Sequence, residues 1–167
     1  MMHTGLKRMG APSLEELRQS SAFPGEKDYF KGPIAVIECI EEIPCNPCET
    51  SCPKRTITIG KPITNLPRID FDRCSGCGIC VAACPGLAIY IKDYTYSEET
   101  ALITFPFEYT PLPEPGKKVV MVNRQGQEIC EGVVKKVNCA KAFQQTALVS
   151  VSYSKKYFED VVSMKRL

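Results

Sequence analysis

The chain has 167 residues, 44% of them hydrophobic, and 21 Lys and Arg against 19 Asp and Glu for a formal charge of +2. No apolar run approaches the roughly twenty residues that span a bilayer, which argues against a membrane-spanning helix, and the length suits one compact domain or two small ones. The charge excess sits in residues 96–167, where ten Lys and Arg face eight Asp and Glu, too slight an imbalance for a nucleic-acid surface.

Residues 1–32 read as an N-terminal arm with little core of its own. Ser13-Leu14-Glu15-Glu16 fits a capping box, in which the hydroxyl and the carboxylate satisfy free backbone donors, and predicts a short helix from Leu14 to about Gln19. "FPGEKDYFKGP" then reads as turn and loop. The alternative is a frayed terminus. The opening basic residues have no apolar stretch behind them, so the layout of a secretory signal is missing and a cytoplasmic chain is expected. His3, the only histidine, reads as incidental.

From residue 33 to 94 the chain repeats itself. Strand "IAVIE", a cysteine cluster and strand "TITIG" are followed by strand "RIDFD", a second cysteine cluster and strand "LAIYI". Two copies of one unit, each too small to fold alone, are expected to pack about a pseudo-twofold axis. Residues 95–167 turn to alternating segments, "TALITFPFEY", "KKVVMVN", "EICEGVVKKV" and "TALVSVSY", with turn signals at Arg124-Gln125-Gly126-Gln127 and "TPLPEPG". They predict a small antiparallel barrel or sandwich. "KKYFEDVVSMKRL" fits a helical turn followed by an edge strand. The fold class is α+β.

Ten cysteines in a chain without an export signal point to metal or redox chemistry rather than disulfides. Cys74, Cys77, Cys80 and Cys84 have the spacing C-x2-C-x2-C-x3-C-P. A tight loop of that kind wraps three corners of an iron–sulfur cube with backbone N–H groups turned toward the sulfurs, and the fourth soft ligand arrives from elsewhere. Zinc knuckles use paired C-x2-C instead. Cys130 and Cys139 stand alone and read as structural thiols. No Ser/His/Asp or Cys/His catalytic set, dinucleotide fingerprint or P-loop can be assembled, so no catalytic residue is assigned and the chain is not expected to be an enzyme by itself.

Over Ile34 to Ile91 the chain resembles bacterial-type two-cluster ferredoxins. The resemblance implies two [4Fe-4S] clusters with crossed ligation: Cys39, Cys45, Cys48 and Cys84 on one, and Cys74, Cys77, Cys80 and Cys52 on the other. Two such clusters, each roughly −2 when oxidised, would take the folded protein to about −2. The first run departs from the family spacing. Glu42 stands where a cysteine belongs, and Cys39 precedes it by three residues, as an insertion "EEI" would produce. The alternative makes Cys39 a buried thiol and leaves a three-iron or open site; a hard carboxylate from Glu42 suits such a site least.

"GPIAVIECIEEIPCNPCETSCP", with a C-terminal segment opening on "ITFPFEYTPLPEPG", is similar to the small iron–sulfur subunits of hetero-oligomeric, flavin-dependent amino-acid dehydrogenases of the proline, hydroxyproline and opine type. This similarity implies an electron-transfer subunit with flavoprotein partners that carry the FAD or FMN. The arm and the β segment are then docking surfaces. A free-standing carrier and a structural iron–sulfur subunit are the competing readings. Anaerobically purified protein is expected to hold about eight irons and eight sulfides, two four-iron clusters per chain. Cys130→Ser and Cys139→Ser should leave that content intact by iron and sulfide assay, whereas tightly bound zinc would overturn the reading.

Overall fold

A computed structural model describes residues 5–167; residues 1–4, His3 among them, lie outside the described residues. The arm holds two short helices, α1 (Leu6–Met9) and α2 (Leu14–Arg18). The Ser13 hydroxyl accepts from the Glu16 amide at 3.2 Å, and the Glu16 carboxylate accepts from the Ser13 amide at 2.8 Å. Leu17 and Ala22 are fully buried, and the Ala22 carbonyl accepts from the Ile37 amide at 3.3 Å. Within "FPGEKDYFKGP", read as turn and loop, a 3-10 turn runs over Glu26–Lys31. The Asp28 carboxylate captures the Gly25 amide at 3.0 Å, and Tyr29 packs edge-on against Phe158 at 4.7 Å.

The repeated segment forms β1 (Ile34–Ile37), α3 (Pro47–Ser51), β2 (Ile57–Thr58), β3 (Arg68–Ile69), α4 (Ile79–Ala83) and β4 (Ile89–Asp93). The first strand of one copy pairs with the last strand of the other, β1 with β4, and the inner strands pair as β2 with β3. Beyond them come β5 (Thr100–Phe107), β6 (Lys118–Val122), β7 (Glu128–Asn138), β8 (Ala147–Ser154) and β9 (Ser163–Met164). Seven strands make one antiparallel sheet in the order β1-β4-β5-β8-β7-β6-β9.

Residues 95–167, expected as a small antiparallel barrel or sandwich, are antiparallel strands but do not close into a barrel. The outer edge of β5 is taken by β4 from the preceding segment, with Ile91 opposite Thr104 and Asp93 opposite Leu102. The two-residue β9 ends the sheet on β6, and β1 is its other edge, so the order stays open. Among the described residues no helix is long and apolar enough to cross a membrane.

Side-chain alternation along the strands separates two cores. Ile34, Val36 and Tyr90 join Ile103, Phe105, Met121, Val151 and Phe158 on one face, while Ala35, Ile37, Ile89 and Ile91 join Ile57, Val81, Cys48 and Cys80 on the other. The first core also buries charge. Arg124, in the turn between β6 and β7, bonds Glu38 at 2.7 Å with both side chains about a tenth exposed, and Tyr90 donates to the same carboxylate.

Lys92, 1% exposed, donates to the Phe158 carbonyl and lies 4.7 Å from that ring's centre. Burial, and then the positive Arg124, push its ammonium down to about 7. Unfolded, the group keeps its proton to about 10.4, so from about pH 7 to 10.4 the unfolded chain holds the extra proton and this residue's contribution to stability rises with pH. Lys92→Met should flatten the rise in unfolding free energy between pH 7 and 10, measured by denaturant titration; an unchanged slope would contradict the buried, deprotonating lysine.

Candidate metal centre

The two cysteine runs share one local design. Each puts a cysteine inside a five-residue helix, Cys48 in α3 and Cys80 in α4, and a second at that helix's C-terminal cap, Cys52 and Cys84, where ψ is 110° in both and the chain turns extended. Proline follows each cap. Pro47 begins α3 with φ already suited to a helix. In the second run Gly76 and Gly78 take left-handed φ of 61° and 82°. A Cβ at Gly76 would stand 2.6 Å from the Pro33 carbonyl oxygen, and one at Gly78 would stand 2.9 Å from Leu148. The loop therefore lies directly against the start of β1 and against β8, which only glycine permits at these angles.

Folding brings the eight cysteines to two cavities. Cys74, Cys77 and Cys80 line one together with Cys52, beside Ala35, Thr56 and Ile91. Cys39, Cys45 and Cys48 line the other together with Cys84, beside Ile37, Ile59 and Ile89. The last cysteine of each run thus stands with the other run. Cys39 lines its cavity, whereas Glu42 is exposed and does not. Cys130, half-buried on β7, and the exposed Cys139 line neither.

Among the described residues no three His, Cys, Asp or Glu side chains converge tightly enough for a single metal ion. Four soft donors round a shared space are instead what a cube ligated at its corners requires. Burial, then the neighbouring Cys84, push the Cys39 thiol up and the Cys48 thiol up to about 11. Burial, followed by the charges of Cys74, Cys77 and Cys52, raises Cys80 further. Four thiolates crowded in an apolar space need cationic metal to ionise together.

Cys52 moves the other way from Cys39, Cys48 and Cys80. Burial raises it, but the Thr56 hydroxyl at 3.2 Å, the Thr56 amide at 3.4 Å and the amides of Lys54 and Ile57 outweigh that and hold it below the ordinary thiol value. Ala35 likewise donates its amide to the Cys74 sulfur at 3.4 Å. Sequence reasoning missed Thr56, although laying the two copies side by side sets it opposite Ala88. It also missed Arg124, which reads as an ordinary turn residue and yet closes on Glu38, the residue before Cys39.

Residues 67–90 match the 4Fe-4S binding domain family. The chain is 36% identical over 59 residues to the ferredoxin oxidoreductase 2 subunit ForD of Aquifex aeolicus, covering 35% of this chain and 74% of that protein. It is 34% identical over 61 residues to the ferredoxin-type protein NapF of Haemophilus influenzae, 35% of each chain. It is 40% identical over 50 residues to a subunit of the ion-translocating oxidoreductase complex of Methanosarcina acetivorans, 30% of this chain and 18% of that one. The match thus spans about a third of NapF and under a fifth of the Methanosarcina protein. No solved structure matches the chain significantly.

Cys52→Ser is expected to damage the centre formed with Cys74, Cys77 and Cys80, and Cys84→Ser the one formed with Cys39, Cys45 and Cys48. Electron paramagnetic resonance of each reduced variant reads which signal is lost. Damage by Cys52→Ser confined to the signal of its own sequence neighbours would contradict the crossing.

Proposed function

Since the chain belongs to the ferredoxin-type proteins that bind 4Fe-4S clusters, we propose that it holds two such clusters and serves as the electron-transfer subunit of an oxidoreductase complex. The observation that carries this reading is the sorting of eight cysteines into two cavities of four, each completed by the last cysteine of the other run. Cys39, Cys45, Cys48 and Cys84 would hold one cluster, and Cys52, Cys74, Cys77 and Cys80 the other. Each cluster, when bound, takes up and releases one electron at a time. The protein's own part is to supply thiolates, keep the cavities largely apolar through Ile37, Ile57, Ile89 and Ile91, and leave Cys77 exposed as a point of contact.

The stretches flanking residues 33–94 are proposed as docking surfaces. Residues 1–32 expose Phe30 at 63%, and residues 95–167 expose Tyr109 at 50% and Leu112 at 39%. Large apolar side chains left in water on the flanks of an electron carrier suit contact with a larger partner. Two of the relatives, a subunit of a ferredoxin oxidoreductase and a subunit of an ion-translocating oxidoreductase complex, support membership of a complex. The choice of a flavin-dependent amino-acid dehydrogenase as partner rests on the similarity carried by "GPIAVIECIEEIPCNPCETSCP" and "ITFPFEYTPLPEPG".

Anaerobic affinity purification of the full chain from its host should recover a flavoprotein whose substrate reduces the iron–sulfur centres. Phe30→Glu and Tyr109→Glu together should lower that recovery about tenfold or more, the scale of an interface hot spot, with iron content unchanged. A chain that purifies alone, and is reduced equally well by unrelated enzymes, would be a free carrier instead.

A further inference from the structure

The turn that follows the last cysteine is used twice with opposite chemistry. In the first copy it reads Cys52-Pro53-Lys54-Arg55-Thr56 and in the second Cys84-Pro85-Gly86-Leu87-Ala88. The backbones agree closely. Arg55 donates its amide to the Cys52 carbonyl at 3.1 Å, Leu87 donates to the Cys84 carbonyl at 3.2 Å, and the two take left-handed φ of 51° and 52°. What differs is the side chains. The first copy brings the exposed ammonium of Lys54, which lines the cavity, the exposed guanidinium of Arg55, and the buried Thr56 hydroxyl, the last of these 3.2 Å from the Cys52 sulfur; the second brings no charged side chain and no side-chain donor.

Other features divide the same way. The hydrogen bonds to sulfur at 3.2–3.4 Å, from the Thr56 hydroxyl, the Thr56 amide and the Ala35 amide, all fall on the Cys52, Cys74, Cys77 and Cys80 set. In the other set the backbone amides of Glu41 and Glu49 act on Cys39 and Cys48, and no side-chain hydroxyl joins them. Arg73 is fixed on the first side by donating to the Lys54 carbonyl at 3.0 Å. The acids there are engaged, Asp72 by Lys31 at 2.6 Å and Asp70 by the Asp72 amide at 3.1 Å. Cys77 in this set is exposed, whereas no cysteine of the other set is. Glu41, exposed, lines the cavity with Cys39.

A cluster gains one negative charge on reduction. Donors to sulfur, nearby cations and solvent stabilise that charge and raise the reduction potential, while apolar surroundings and carboxylates lower it. We propose that Thr56, with Lys54 and Arg55, makes the Cys52–Cys74–Cys77–Cys80 centre the higher-potential, electron-accepting end, and that the Cys39–Cys45–Cys48–Cys84 centre is the lower-potential, donating end. The proposal rests on the two-cluster reading above. Per event the donating end is oxidised by one electron and the accepting end reduced by one, with no proton or further reactant required.

The test is an anaerobic redox titration of the full chain followed by electron paramagnetic resonance, with iron counted in parallel. Two distinct potentials are expected. Thr56→Val should lower the higher one and leave the lower in place, Thr56→Ser should restore it, and Ala88→Thr should raise the lower one. Should Thr56→Val lose iron, Lys54→Gly combined with Arg55→Leu gives a second shift of the same sign. Coincident potentials in the unaltered protein would overturn the polarity, as would a Thr56→Val effect on the lower potential or on neither. Iron near four per chain would instead remove the two-cluster reading and the polarity with it.

Discussion

Strand alternation along β1 and β4 is the constraint on which the molecule depends. In a strand successive side chains face opposite ways, so four or five residues serve two cores at once. Ala35 and Ile37 of β1, with Ile89 and Ile91 of β4, wall the cysteine cavities, while Ile34 and Val36 with Tyr90 and Lys92 face the interior around which the larger sheet curls. A one-residue slip would carry Lys92 into the cysteine layer and Ile91 into the other. Residues between the cysteines have no such double duty, which is why the loop before Cys45 can hold Glu41, Glu42 and Ile43 at the surface.

Where this constraint is local, it is readable from sequence. The alternating segments at 100–107 and 147–154 are strands because every second residue is apolar, and the spacing of Cys74, Cys77, Cys80 and Cys84 is legible because the spacing is itself the chemical requirement. Closure was not legible. Nothing within Thr100–Phe107 states whether its outer edge meets another strand of its own segment or β4, since the competitors differ in position along the chain rather than in pattern. Arg124 is similarly opaque: a turn beside Gly126 reads as solvent-exposed until the fold brings Glu38 to it from 86 residues away. The matched family segment, residues 67–90, covers the regular run and stops short of the expanded one, where Cys39 breaks the usual spacing.

Buried charge joins the parts that packing alone would hold loosely. The Arg124 guanidinium spans Glu38, Tyr90 and the Glu159 carbonyl, and so ties the residue after β1 to the β6–β7 turn and to the C-terminal segment. Breaking such a pair by removing one partner leaves an uncompensated charge, a loss of about 3–5 kcal/mol in comparable cases, larger than most single contacts supply. Arg18 and Glu159, more than half exposed, make a weaker tie between the arm and the same segment. The arm is thus held mainly by Leu17, Ala22 and Tyr29 in the cores and only lightly by surface charge.

The pairing of β1 with β4 also acts as a clasp. Its innermost partners, Ile37 and Ile89, bracket a loop that contains all eight cysteines, from Cys39 to Cys84. Closing a loop of that length costs entropy that grows with the logarithm of its length, and a second tie within the same loop meets a chain already confined. Strand clasp and the proposed clusters would therefore be linked thermodynamically: each would reduce the disorder the other must remove. Because Cys52 and Cys84 reach across to opposite cavities, the same linkage would run between the two proposed clusters. With two clusters, a chain built this way would favour being empty or fully loaded over being filled by halves.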